Sequence, residues 1–116
     1  LDEIVKKLPK GLDTLVFPEG KTFSQSTIQK INIARAIVNN PKLLLIDDCI
    51  NTIETNERKK IIEHLLGKNY PATVLIISSD AHVAALCDKV CLMENGSLKA
   101  FDQAKNMQPE LLNLIN

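Results

Sequence analysis

Lys42-Leu43-Leu44-Leu45-Ile46-Asp47-Asp48 decides how this chain is read. An unbroken apolar run of strand length that closes on two carboxylates describes a strand buried on both faces, its carboxyl end opening onto polar surroundings. Thr73-Val74-Leu75-Ile76-Ile77 repeats the pattern and ends in Ser78-Ser79-Asp80. Between the two, Glu54 to Leu66 places Ile61, Ile62, Leu65 and Leu66 on one helical face and Arg58, Lys59 and Lys60 on a solvated one, with Gly67 as the stop. Strand, helix and strand in this order imply a crossover and a parallel pair.

Upstream, Ser24 can cap a helix whose apolar face is Ile28, Ile31, Ala34, Ile37 and Val38, and Asn39-Asn40-Pro41 ends it. Residues 9 to 23 hold Pro9, Gly11, Pro18 and Gly20 and read as a loop pinned by Leu12, Leu15 and Phe17, while Leu1 to Leu8 carries one helical stripe. Downstream, a short helix from about Ala81 to Cys87 leads to a strand at Lys89 to Met93. Asn95-Gly96 is a strong hairpin signal and turns it into Ser97 to Phe101. The last fifteen residues read as short helices. The expected class is α/β, a mostly parallel sheet with helices packed on it and a C-terminal β-hairpin.

With 116 residues, 45% hydrophobic and 24% charged, the chain has the composition of a folded domain. Fourteen basic against fourteen acidic residues leave no net field to draw in nucleic acid, and none is expected as a partner. The apolar runs are strand-sized and too short to span a bilayer, so a soluble chain is expected. With neither an initiating Met nor a charged-then-apolar leader, Leu1 is expected to be a cut inside a longer protein. Cys49, Cys87 and Cys91 lack zinc-ligand spacing and read as buried or half-buried thiols in a reducing compartment.

Ligands of open parallel sheets sit beyond the carboxyl ends of the strands, where Asp47, Asp48, Ser78, Ser79 and Asp80 fall. Adjacent carboxylates there suit a hydrated magnesium ion together with a group that orients water in phosphoryl transfer, or else one of them caps the next turn. A phosphate cradle is harder to find. Gly20-Lys21-Thr22 could end a phosphate-binding loop, but the first glycine of that motif would fall on Leu15. The loop would also contain Pro18, which has no N–H, and Glu19, which repels phosphate. His64 and His82 lie on helices and read as surface or packing residues.

Taken jointly, these motifs resemble the C-terminal half of the nucleotide-binding domain of ATP-binding cassette (ABC) transporters, exporter-type, a partial P-loop NTPase fold. Leu8-Pro9-Lys10-Gly11-Leu12-Asp13-Thr14 with Gly20 is similar to the lead-in to that family's signature. Phe23-Ser24-Gln25-Ser26-Thr27 stands where the family has Leu-Ser-Gly-Gly-Gln, followed by Gln29-Lys30-Ile31-Asn32-Ile33-Ala34-Arg35-Ala36-Ile37. Leu43 to Asp48 resembles the Walker B strand and its catalytic acid, and Asn51-Thr52-Ile53-Glu54 the D-loop. Ser79 falls on the switch histidine, and Asp88 to Gly96 on the closing strand and hairpin. The resemblance covers about residues 8 to 100. It implies a signature region over 1–41, a Walker B to hairpin region over 42–101 and C-terminal helices over 102–116, together the C-terminal part of one domain.

The resemblance further implies ATP and magnesium as cofactors in the parent, with none expected tightly bound to this fragment. It implies a second nucleotide-binding domain arranged head to tail, transmembrane domains, and a place at the cytoplasmic face of a membrane. Ser24, Gln25, Ser26 and Thr27 would face the partner's ATP at a helix N-terminus. Asp47 would hold magnesium through water, and Asp48 and Ser79 would occupy the catalytic positions. There are departures from the family pattern. Gln25 and Ser26 put side chains where glycines let phosphate approach the backbone. Asp48 is shorter than Glu by about 1.5 Å, and misplacement on the order of 1 Å can cost about a hundredfold in rate. Ser79 offers a hydroxyl in place of an imidazole. The expectation is an ATPase portion of an exporter, or a degenerate cassette acting as a non-hydrolysing partner; the fragment alone, lacking the phosphate-binding loop, is expected to be inactive.

Overall fold

A computed structural model describes residues 1–17, 23–47 and 49–107. Helix α1 (Asp2–Lys6) is followed by a 3-10 turn at Gly11–Asp13 and the long helix α2 (Gln25–Ile37). Strand β1 (Leu43–Asp47), a 3-10 turn at Cys49–Thr52, helix α3 (Thr55–Leu65) and strand β2 (Thr73–Ile77) form the predicted crossover unit. Helix α4 (Ala81–Leu86) precedes the hairpin β3 (Lys89–Glu94) and β4 (Ser97–Gln103), which ends in a 3-10 turn at Ala104–Asn106.

Strands β1 and β2 pair in parallel, Leu43 opposite Thr73 through Asp47 opposite Ile77. Strands β3 and β4 pair antiparallel in a separate sheet, so among the described residues half of the pairing is parallel and the expectation of a mostly parallel sheet holds only in part. The hairpin closes as predicted. Asn95 and Gly96 adopt φ of 49° and 75°, the left-handed pair that a two-residue loop of matching twist requires. Gly67 ends α3 for a different reason: a Cβ there would lie 3.0 Å from the carbonyl oxygen of Glu63.

The core lies on one face of the parallel pair. Leu44 and Ile46 of β1 are buried with Ile50, Ile53, Ile62, Leu65 and Val83, and Ile33, Ile37, Val74 and Ile76 pack against them. Helices α2 and α3 therefore both lend side chains to this side, satisfying half of each strand's alternation. The other half is bare: Leu43, Leu45, Leu75 and Ile77 are exposed. Burial on both faces is thus corrected to burial on one, because no described element lies over the second. A smaller cluster joins Ala81 and Met107 to Ala84, Val90, Leu92 and Ala100 and seats the hairpin against α4.

Other expectations also shift. Leu12, Leu15 and Phe17 do not pin the loop; Leu12 is 89% exposed. Residues 102 and 103 extend β4, and the expected terminal helices are represented by the turn at Ala104–Asn106, the remainder lying outside the described residues. Cys91 is exposed, whereas Cys87 is half-buried and donates its thiol hydrogen to the Val83 carbonyl at 3.4 Å. Burial, and secondarily the charge of Asp88, pushes the Cys87 thiol pKa up.

Candidate functional site

The N-terminus of α2 is built by Ser24. Its extended backbone (φ −64°, ψ 155°) lets Oγ accept the N–H of Thr27 at 3.2 Å, satisfying one donor of the first turn. Ser24 and Gln25 are exposed and Ser26 half-buried. Thr27 is buried, with Oγ1 2.9 Å from Ser24 Oγ, so its side chain serves the cap. Further along the helix, Lys30 donates to both carboxylate oxygens of Glu57, at 3.1 and 2.8 Å, tying α2 to the first turn of α3. That contact holds the Glu57 carboxyl below its ordinary range.

The carboxyl ends of the parallel strands carry the other candidates. Asp47 is the last residue of β1 and is exposed; Asp48 lies outside the described residues. The chain then makes the Cys49–Thr52 turn, anchored by Ile50 and Ile53, both buried in the core. Glu54 caps α3, its Oε2 accepting from the N–H groups of Asn56 and Glu57 at 3.0 and 3.2 Å. After β2, Ser78 Oγ accepts the N–H of Asp80 at 3.1 Å, and Asp80 Oδ1 accepts the N–H of His82 at 2.9 Å, capping α4. Ser79 sits exposed between these two bonds. Because Asp47 is in register with Ile77, the two strand-end turns leave the sheet at the same level.

Two charged contacts gave no local sequence signal. The Lys30–Glu57 pair joins residues far apart in the chain, with Lys30 largely covered. Arg58, read as part of a solvated face with Lys59 and Lys60, is instead folded inward: Nη1 donates to Asn51 Oδ1 at 3.2 Å, and Nη2 lies 3.8 Å from Asp80 Oδ2. His64 and His82 are exposed as expected, His64 edge-on to Tyr70. A cavity of about 520 Å³ lined by Asn40, Pro41, His64 and Tyr70 lies at the amino ends of the strands, opposite the candidate site.

Among the described residues no group of three or more His, Cys, Asp or Glu side chains is placed to hold a metal ion. A single strand-end carboxylate is what a water-coordinated magnesium ion shared with phosphates uses, so the chemistry of Asp47 fits that role. The Gly20-Lys21-Thr22 segment lies outside the described residues. No described helix is long and apolar enough to cross a membrane.

No family model matches the chain. Individual proteins do. The chain is 32% identical over its whole length to the mating factor M secretion protein mam1 of Schizosaccharomyces pombe, of which it spans 9%. It is 34% identical over 84% of its length to the ABC transporter ATP-binding protein YfiB of Bacillus subtilis, spanning 17% of it. It is also 30% identical over 93% of its length to the ABC multidrug transporter mdr4 of Aspergillus fumigatus, spanning 8%. A solved bacterial Atm1-family ABC exporter with ATP bound superposes with a TM-score of 0.84 at 22% identity, covering 97% of this chain and 20% of the exporter chain. The chain thus spans less than a fifth of the curated relatives just named. Two of these relatives, aligned over 84% and 93% of this chain, carry ABC names, and the exporter shares its fold; the chain belongs to the ATP-binding cassette family and is a C-terminal portion of the ATPase domain of an ABC transporter.

Proposed function

We propose that in the whole protein this chain supplies the signature and the strand-end acids of a nucleotide site whose turnover drives export. The observation that supports this most is a joint one. A serine-capped helix start with two exposed residues, and two strand-end turns leaving one parallel pair together, stand in the order and spacing of a cassette. In this reading the working unit holds two cassettes head to tail, attached to membrane domains at the cytoplasmic face, and residues 1–41, 42–101 and 102–116 are its signature region, Walker B to hairpin region and C-terminal segment. Ser24, Gln25, Ser26 and Thr27 form the helix start that meets the partner's nucleotide, with Thr27 holding Ser24 in place. Asp47 would hold magnesium through water, and Asp48 and Ser79 would occupy the catalytic positions. Magnesium bound with ATP supplies neutralisation of the phosphate charge.

The bare face of β1 and β2 has a place in the same reading. Leu43, Leu45, Leu75 and Ile77 form a contiguous apolar surface on a chain that spans only a small part of its relatives. The remainder of the domain, including the phosphate-binding loop this chain lacks, packs there.

Three departures favour a slow or silent enzyme: side chains at Gln25 and Ser26, a short acid at Asp48 and a hydroxyl at Ser79. The test is ATP hydrolysis by the full-length parent before and after Asp48→Glu with Ser79→His. Turnover that is measurable and rises in the double variant supports a catalytic cassette. No turnover in either form rejects it in favour of a non-hydrolysing partner.

A further inference from the structure

We propose that Arg58 is a positioning residue that ties the turn after β1 to the turn after β2 and thereby fixes Ser79 relative to the end of β1. The inference rests on the reading that these turns frame a nucleotide site. Arg58 lies in the first half of α3, a helix held at its start by the Glu54 cap and sideways by the Lys30–Glu57 pair. From that fixed base its guanidinium donates a hydrogen bond to Asn51 Oδ1 at 3.2 Å and forms a looser ion pair with Asp80 Oδ2 at 3.8 Å.

Both partners sit on anchored backbone, although Asn51 itself is exposed. Asn51 belongs to the turn whose neighbours Ile50 and Ile53 are 1% and 3% exposed. Asp80 has its other oxygen on the His82 N–H and its own N–H on Ser78 Oγ. A pull on Asp80 therefore moves the end of β2 and the start of α4 together, and Ser79 lies between them. The Arg58 and Asp80 side chains are only 23% and 31% exposed, so the pair is partly shielded from water.

Helices α3 and α4 share one core through Ile62 and Val83. A cleft of about 540 Å³ opens between them beside that packing, lined by Arg58, Asp80 and His82 among others, and the polar contact lies at this cleft. A planar guanidinium can address two acceptors in different directions, whereas a lysine ammonium on its flexible stem lacks that rigid fork.

The test uses the full-length parent with Arg58→Ala, Arg58→Lys, Asp80→Asn, Asp80→Arg and the exchange Arg58→Asp/Asp80→Arg. Asp80→Asn preserves an oxygen to cap α4 and removes only the charge, so it serves where a larger change prevents folding. Steady-state hydrolysis is expected to show kcat reduced about tenfold in Arg58→Ala and Arg58→Lys with KM within about twofold. Asp80→Asn is expected to lower kcat by about threefold, and the exchange to recover only part of what Asp80→Arg alone loses, since α4 stays without its Asp80 cap. Amide hydrogen exchange over Ser79 to His82 is expected to accelerate about tenfold in Arg58→Ala. An unchanged kcat in Arg58→Ala overturns the proposal, as does unchanged amide exchange over Ser79 to His82 in that variant. If the parent hydrolyses no ATP, the catalytic reading fails by itself; accelerated exchange over Ser79 to His82 in Arg58→Ala then still supports the link between the turns, and unchanged exchange overturns it.

Discussion

Leu45 and Leu75 face each other across the parallel pair on its bare side, 65% and 58% exposed. Truncating both to alanine separates what this chain does for itself from what the remainder of the domain does for it. Full burial of a leucine side chain is worth about 1.5–3 kcal/mol. With only about a third to two-fifths of each surface covered here, the loss expected in the excised chain is below about 1 kcal/mol per residue. On the proposed reading that the face is covered in the full-length parent, each leucine is a core residue there and its truncation costs about 2–5 kcal/mol through lost transfer energy and the cavity left behind. The assay is urea denaturation of both forms, with and without Leu45→Ala/Leu75→Ala, followed by far-UV circular dichroism and fitted for midpoint and slope. A small shift in the excised chain and a several-fold larger one in the parent is the expected outcome. An equally small loss in both would refute the idea that this face is covered in the whole protein. A large loss in the excised chain would show that the face is already packed there.

Three further outcomes follow from local geometry. Glu54→Ala removes the acceptor for two first-turn N–H groups of α3 and is expected to lower stability by about 1 kcal/mol, read as a shift in the urea midpoint. Glu57 has its carboxyl pKa depressed by Lys30, so its contribution is present at neutral pH and disappears as pH falls below about 4.5. The midpoint difference between the native sequence and Glu57→Gln should therefore be under about 1 kcal/mol at pH 7, the side chain being half exposed, and should shrink as pH falls below the ordinary glutamate value. In a Cys49→Ser background a maleimide at pH 7 is expected to modify Cys91 well before Cys87, whose thiol is half-buried and held in its protonated form; peptide mapping by mass spectrometry gives the order.

The legible parts of this fold were those written in short-range chemistry. Ser24 before an apolar face, Gly67 after one, and Asn95-Gly96 between two apolar runs each specify a local backbone state, and each marks an element boundary as read. The strand runs were legible as strands, but their burial was not. Leu43 and Leu45 look the same in sequence as Leu44, and which face is covered depends on elements other than the strand itself. Arg58 was misread for a related reason. Its neighbours Lys59 and Lys60 share its charge, and only the return of the chain at Asp80 gives one of the three a partner on another element. The strand-end candidates were found because alternating strands and helices bring polar turns together beyond the sheet. The bonds of Ser78 and Asp80 around Ser79 depend on the angle at which the chain leaves β2, which no spacing encodes.

The two sheets also differ in how they can assemble in time. Strands β3 and β4 are joined by two residues already suited to left-handed backbone, and their register shifts by one residue at a bulge between Leu92 and Met93. Such hairpins form in about 1–10 μs. Strands β1 and β2 can pair only after the crossover 48–72 has closed and α3 has docked, and non-local pairing of that kind is intrinsically slower. The hairpin is therefore expected to precede the parallel pair. During that interval the sequence's most apolar strands have unpaired edges, so a change at Asn95 or Gly96 should act on folding rate and a change at Ile62 on the lifetime of the native state.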